Sequence, residues 1–214
     1  MARIVILANS KRPDGQCLGG VDLETGTWIR PVTRTGDGIP TQRCFVNGKF
    51  IEIRDILDMD LFRPRQIAEY QRENHIIRNW NWQISGRFKH NALNRFIDNS
   101  APILHSGNDR VSPKVLKKLP PEEWRSLQLV KPRKLKFCRH YFDPHRWVAE
   151  FDDQKGIRYS LKVTDPIATR RLESGETIGE QCLLTISMTK PWTPNPTERE
   201  ALCYKVVAAV IELA

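Results

Sequence analysis

The apolar residues of this chain come in short runs broken by turn-forming residues, and that rhythm limits what it can fold into more than any other feature. The longest uncharged apolar stretch, 206–211, holds six residues, against the roughly 20 that a helix needs to cross a bilayer. The apolar stretch at 4–8 behind Arg3 is too short for a secretory signal. A cytoplasmic location with no membrane partner is therefore expected. Short runs rich in β-branched residues predict strands. Ile4, Val5, Ile6 and Leu7 read as a buried strand, followed by a turn-rich break at 9–15 containing Pro13, Asp14 and Gly15. Stretches 17–21 and 27–32 flank a loop ending at Gly26, a hairpin pattern. Residues 33–47, rich in Gly, Thr and Pro, predict a loop, and Phe50, Ile51, Ile53, Ile56 and Leu57 a further strand.

From 64 to 99 the pattern loosens. Residues 66–74 favour helix, and 89–97 place Leu93, Phe96 and Ile97 at helical spacing, so short helices are expected. Pro102, Gly107, Pro113, Pro120 and Pro121 give the next stretch linker composition, interrupted by a helical turn at 114–119. Pro120, Pro121, Glu122 and Glu123 fit a helix start. Beyond it six strands are expected, at 127–130, 135–138, 147–151, 157–163, 182–188 and 204–211, with turns such as 152–156 and 191–196 between them. That spacing suggests a small antiparallel barrel. A helix at 169–173 falls where a five-strand OB barrel often carries one. No internal repeat is visible.

Charge supplies the first functional hint. Across 214 residues, 34 Lys and Arg face 25 Asp and Glu, a net +9. Residues 110–146 hold eleven of the basic side chains against Glu122, Glu123 and Asp143, an excess of eight. Such a block is either a solvated linker or a footprint for an acidic partner such as nucleic acid.

Three groups of residues could contact such a partner. Asn9, Lys11 and Arg12, with Ser10, follow the first strand and could hold phosphate or simply make a turn. Trp28 and Arg30 alternate along one strand face, an aromatic plane beside a guanidinium, which is how single-stranded nucleic acid is held. Trp28 could equally be core. After Arg133, period two puts Lys134 and Lys136 on one solvent face, and Arg139 continues the basic run, with Phe137, Tyr141, Phe142 and Trp147 interleaved. Trp80 and Trp82 would also share a face, with Arg78 and Arg87 near them.

Enzymatic signatures are thin. Cys138, His140 and His145 lack a fourth ligand at zinc spacing, and Cys17 has no assignable base. Glu150, Asp152, Asp153 and Lys155 flank Gly156 as a β-turn more naturally than as a nuclease site. No phosphate-loop, dinucleotide or zincin motif occurs. Cys17, Cys44, Cys138, Cys182 and Cys203 form no disulfide framework and are expected to be reduced. No catalytic residue, metal or cofactor is assigned.

Taken in order, the opening strand with Asn9, Ser10 and Lys11, then Cys17, Gly20 and the run Trp28, Ile29, Arg30, Pro31, Val32 resembles the dual OB-containing domain family of prokaryotes. Val163, Thr164, Asp165 and Pro166, and Cys203, Tyr204 and Lys205, extend the resemblance over nearly the whole chain. It implies a mainly β fold with short helices (α+β), two small OB-like barrels in tandem, in a genome-conflict or antiphage setting. It also adds Asp165 and Lys205 to the positions of interest. The expected layout is an N-terminal OB-like domain with a helical insertion (1–99), a Pro-rich basic linker (100–125) and a C-terminal OB-like domain (126–214). A PUA-like or ASCH-like barrel with appendages is the alternative. The expected function is non-enzymatic binding of single-stranded DNA or RNA beside an enzymatic protein partner. An enzyme acting on nucleic acid or a nucleotide, and a protein-interaction adaptor or nucleotide sensor, are the other readings.

Overall fold

The computed structural model describes residues 1–12, 14–36, 38–64, 70–193 and 200–213. The chain divides into two compact units, one of residues 1–66 and 73–96 with 213–214, the other of 67–72 and 97–212.

In the first unit the opening apolar run becomes β1 (Ala2–Arg12), buried without interruption from Ile4 to Ser10. A strand covered on both faces needs no polar alternation, which is why its sequence reads as a continuous apolar block. The strand runs through the expected break at 9–12 and pairs antiparallel with β2 (Gly15–Asp22). Pro13 lies outside the described residues. Gly20 lets the two strands meet, because a Cβ there would stand 2.2 Å from the Val5 carbonyl oxygen. β2 pairs with β3 (Trp28–Val32). The loop beyond carries a small hairpin, β4 (Phe45–Val46) and β5 (Lys49–Phe50). Its turn residues Asn47 and Gly48 have φ of 50° and 79°, the left-handed pair that an Asn-Gly turn accepts.

β6 (Asp55–Met59) pairs with the first half of β1, and β7 (Leu61–Phe62) resumes after Asp60 to pair with β8 (Asn74–Ile77). β8 lies parallel to β3. With β6 and β7 nearly continuous, the order β1, β2, β3, β8, β7/β6 returns to β1 and closes a barrel. β9 (Gln83–Arg87) adds an outer strand on β6. Ile4, Ile6, Leu18, Ile29, Leu57 and Met59 fill the interior.

The helix expected at 66–74 does not form over its described part. Residues 65–69 lie outside the described set, and 74–77 are β8, whose parallel bonding to β3 overrides local preference. The segment 89–97 forms a 3-10 helix, His90–Phe96, burying Leu93.

The second unit repeats the barrel order. β11 (Leu127–Val130) pairs with β15 (Cys182–Met188), and after Lys131 and Pro132 the chain continues as β12 (Arg133–His140), which pairs with β13 (Asp143–Asp152). β13 pairs with β14 (Arg158–Val163), β14 lies parallel to β16 (Cys203–Glu212), and β16 pairs with β15. The circuit β11/β12, β13, β14, β16, β15 closes. Between β14 and β15 stands the helix Pro166–Glu173, capped by Asp165, whose carboxylate accepts from the Ile167 and Ala168 amides. Strands 127–130 and 182–188 stand where the pattern put them. The turn at 152–156 forms around Asp153, which accepts from the Lys155 and Ile157 amides. Of the turn placed at 191–196, residues 194–196 lie outside the described set.

The stretch 100–125 is part of this unit rather than a linker. Ile103, Leu104, Val111 and Leu116 are core, β10 (Arg110–Val111) pairs with β16, and the helical turn falls at Pro113–Leu116. Its prolines shape an irregular wall that buries apolar side chains. The helix start read at 120–123 is one 3-10 turn, Pro121–Glu123, ended by extended Trp124, whose indole NH donates to the Leu116 carbonyl. The molecule is mainly β with short helices.

Candidate nucleic-acid interface

The first unit withdraws two of its five candidate contacts. Asn9 is buried, its amide donating to the Ile51 carbonyl at 2.8 Å, so it ties β1 to the chain entering β6. Arg30 is 2% exposed, and a guanidinium sealed in this way does not meet a phosphate backbone. Lys11 is exposed, and Arg12 pairs with Asp14 at 3.1 Å. The Gly38 amide, then Arg12, holds the Asp14 carboxyl below its usual range against the opposing effect of burial. Trp28 is half-buried. Trp80 and Trp82 do meet, with ring centroids 5.1 Å apart, but Trp82 belongs to the core while Arg43 lies over Trp80 at 5.3 Å.

In the second unit Lys205 is also withdrawn. It points inward from β16, 2% exposed, its Nζ donating to the Ile103 carbonyl at 2.7 Å, the Ser106 carbonyl at 2.5 Å and Ser106 Oγ at 2.9 Å. Burial pulls its pKa down to about 7, with Asp109 opposing. Asp165 is structural as well, its second oxygen accepting from the Val210 amide.

Exposed basic and aromatic groups gather instead on the β12–β13 hairpin and the outward face beside it. Bulges interrupt the ladder between Arg133 and Lys136 and again near His140. Lys134 sits in the first bulge with φ of 52° and pairs with Asp152 at 3.1 Å. The stripe expected from Lys134 and Lys136 is therefore half neutralised, while Lys136 is exposed, stands opposite Glu150 in the ladder, and among the described residues forms no ion pair. Toward the tip, the Arg139 guanidinium lies 4.1 Å over the Trp147 ring, directly opposite it in the ladder. At the tip, Tyr141 and Phe142 are 89% and 85% exposed, their rings edge to face at 4.8 Å. Rings of this size left almost wholly in water are poor core and good contact surface.

Alternation on β14 turns Arg158, Ser160 and Lys162 outward while Tyr159, Leu161 and Val163 go to the core. Arg158 pairs with Glu150 at 2.9 Å, and among the described residues Lys162 forms no ion pair with an acid. Ladder pairing sets Lys162 level with Val148, and Val148 level with Cys138. Lys162 went unnoticed in the sequence although its clean period of two announces it. Arg146, half-buried beside the tip, was counted only as part of the charge block.

Some of the residues weighed for chemistry have structural partners. Glu150 and Asp152 are spent on ion pairs and Asp153 on its turn. Burial, then Glu150, raises the Cys138 thiol, which disfavours a nucleophilic thiolate. Cys17 is half-buried in β2, opposite Ser10. Among the described residues no three His, Cys, Asp or Glu side chains gather to hold a metal ion, and no disulfide joins the five cysteines.

A family model described as "Dual OB-containing domain" matches residues 2–210. The twice-repeated closed order of five strands, with a helix between the third and fourth in the second unit, fits that description. No curated protein matches the chain. Among solved structures, one titled "Structure of murine DNA binding protein bound with ds DNA" aligns over 99% of this chain and 100% of that one. Its identity of 11% and TM-score of 0.28 are too low to bear on fold or function.

Proposed function

Because the chain belongs to the dual OB-containing domain family, we propose that it is a non-enzymatic nucleic-acid-binding module that engages a single strand through the second unit. The contact surface is the outward face of β12, β13 and β14 together with the hairpin tip. The observation that carries the reading is the pair Tyr141 and Phe142, held in water beside Arg139 and its Trp147 platform. OB barrels bind oligonucleotides on the face of their second and third strands and on the loop between the first and second. In the second unit those parts are β13, β14 and the β12–β13 tip.

The chemistry favours a single strand. Aromatic faces stack on bases that are free of a duplex, while Lys136 and Lys162 offer charge to the phosphates. No base identity follows, because every base has a face to stack. A module of this kind works beside an enzymatic protein partner that acts on the strand it holds.

Fluorescence polarisation with matched single-stranded DNA, single-stranded RNA and duplex oligonucleotides tests the reading. Stacking is worth about 1–3 kcal/mol per base, so replacing Tyr141 and Phe142 together by Ala should weaken single-strand binding about tenfold or more, with the fold unchanged by circular dichroism. Absence of wild-type binding at low salt would defeat the proposal and bring forward a protein adaptor or nucleotide sensor.

A further inference from the structure

The side chain of Lys205 reaches from β16 to the loop 103–109 and meets a serine there. Its Nζ lies 2.7 Å from the Ile103 carbonyl, 2.5 Å from the Ser106 carbonyl and 2.9 Å from Ser106 Oγ. The carbonyls only accept, whereas the hydroxyl can also donate. A neutral amine gives its two hydrogens to the two carbonyls and keeps its lone pair for the Oγ–H. A charged amine has no lone pair, and the hydroxyl proton then turns to the Arg110 carbonyl, 2.8 Å from Oγ.

The serine stands between this amine and solvent. Lys205 is 2% exposed, while Ser106 is half-buried and Gly107 and Asn108, which follow it, are exposed. The Asn108 amide donates to Oγ at 3.3 Å, in place to support negative charge on that oxygen. Other groups around Nζ set its charge. The Tyr159 ring of β14 lies 5.3 Å away, and its hydroxyl accepts from the Ile103 amide and donates to the Ser106 carbonyl. Burial, with Asp153 nearby, raises the Tyr159 pKa against the pull of that amide, so the phenol stays neutral. Asp109 favours the ammonium but is itself paired with Arg110 at 3.0 Å. Burial outweighs it and brings Lys205 to about 7, so both forms of the amine exist near neutral pH.

We propose that Ser106 is a site of covalent acylation, its hydroxyl activated by the Lys205 amine toward esters and thioesters. A nucleophile within about 2.6–3.2 Å of its base is the arrangement such a step uses. Oγ bonds to the acyl carbon as its proton passes to Nζ. The bond from that carbon to the leaving oxygen or sulfur breaks, and the leaving group takes the proton from Nζ. The products are an O-acyl serine, a free alcohol or thiol, and the neutral amine. The acyl group stays on the chain, so the reaction modifies a binding module, and it stands or falls independently of the strand reading.

The test is acetylation of the wild-type protein by p-nitrophenyl acetate, with the acetylated residues located by peptide mass spectrometry. Ser160, exposed on β14, is the internal reference. A positioned base contributes about 100- to 10,000-fold, so Ser106 should be acetylated about a hundredfold faster than Ser160 at about pH 8. The Ser106 rate should rise through a midpoint near the Lys205 pKa of about 7 and then level off as the amine becomes fully neutral. Lys205→Arg, which keeps a cation and has no base form in this range, should remove the advantage of Ser106 with the fold unchanged by circular dichroism. The wild-type rates decide the matter even where that variant does not fold. An advantage of Ser106 over Ser160 below about tenfold, or a Ser106 rate that keeps climbing with hydroxide beyond about pH 9, overturns the proposal.

Discussion

The ammonium of Lys205 sits where water does not reach, and that makes its charge a function of pH. It is held by the Ile103 carbonyl and by both oxygens of Ser106, with the Tyr159 ring 5.3 Å away and Asp109 the nearby acid. Burial brings its pKa from 10.5 to about 7. Between those values the unfolded chain binds the proton that the folded one has lost, so stability rises with pH from about 7 toward 10.5 and the penalty is complete below 7. At ~1.4 kcal/mol per pKa unit the rise amounts to about 4–5 kcal/mol. Urea unfolding from pH 6.5 to 9.5 should show wild type gaining on Lys205→Met, while parallel curves would return the amine to its ordinary range. This burial was legible. Period two puts Lys205 on the side of Cys203 and Val207, both core residues, just as it puts Lys162 on the side of Arg158. Arg30 was harder to read, because alternation groups it with Trp28 without saying which face is covered.

Among the elements, the helix Pro166–Glu173 depends most on one side chain. Asp165 accepts from the Ile167 and Ala168 amides through one oxygen and from the Val210 amide through the other, so it starts the helix and also ties it to β16. Burial raises its pKa against the pull of those three amides. Asp165→Ala should lower stability by about 2–3 kcal/mol, from a lost cap plus an unsatisfied β16 amide, and Asp165→Asn should recover part of that loss. Denaturant midpoints for the two variants decide it, and equal midpoints for Ala and wild type would remove the cap from the account. This helix could be read because Pro166 and the acid before it are local signals. β8 and β9 could not, since Asn74–Ile77 and Gln83–Arg87 are short and half polar and owe their form to pairing with β3 and β6. The hairpin tip falls between these cases. Its aromatic residues were visible, but their near-total exposure follows from β12 and β13 outrunning the core.

At the scale of the molecule, two barrels share one strand circuit without sharing a sequence, which is why no repeat announced them. Each circuit closes through a strand broken in two, at Asp60 in one unit and at Lys131 and Pro132 in the other, so a count of apolar runs finds the pieces and misses the closure. Charge, too, is divided by the fold. The block at 110–146 is not one surface, because Arg125 pairs with Asp98, Lys134 with Asp152 and Lys114 with Glu200. Among the described residues, no acid pairs with Lys136 or Lys162 on the outward face, or with Arg139 or Arg146 on the hairpin. Each phosphate met by a cation on a single strand contributes about 0.7 to the slope of log affinity against log salt. These four cations therefore predict a slope of about 3, whereas engagement of the whole net charge of +9 would give about 6. Polarisation titrations at several salt concentrations separate the two, and Lys136→Gln with Lys162→Gln should lower the slope by about 1.4. A slope near 6 that ignores those two substitutions would mean that the strand follows the diffuse basic surface and not the aromatic face.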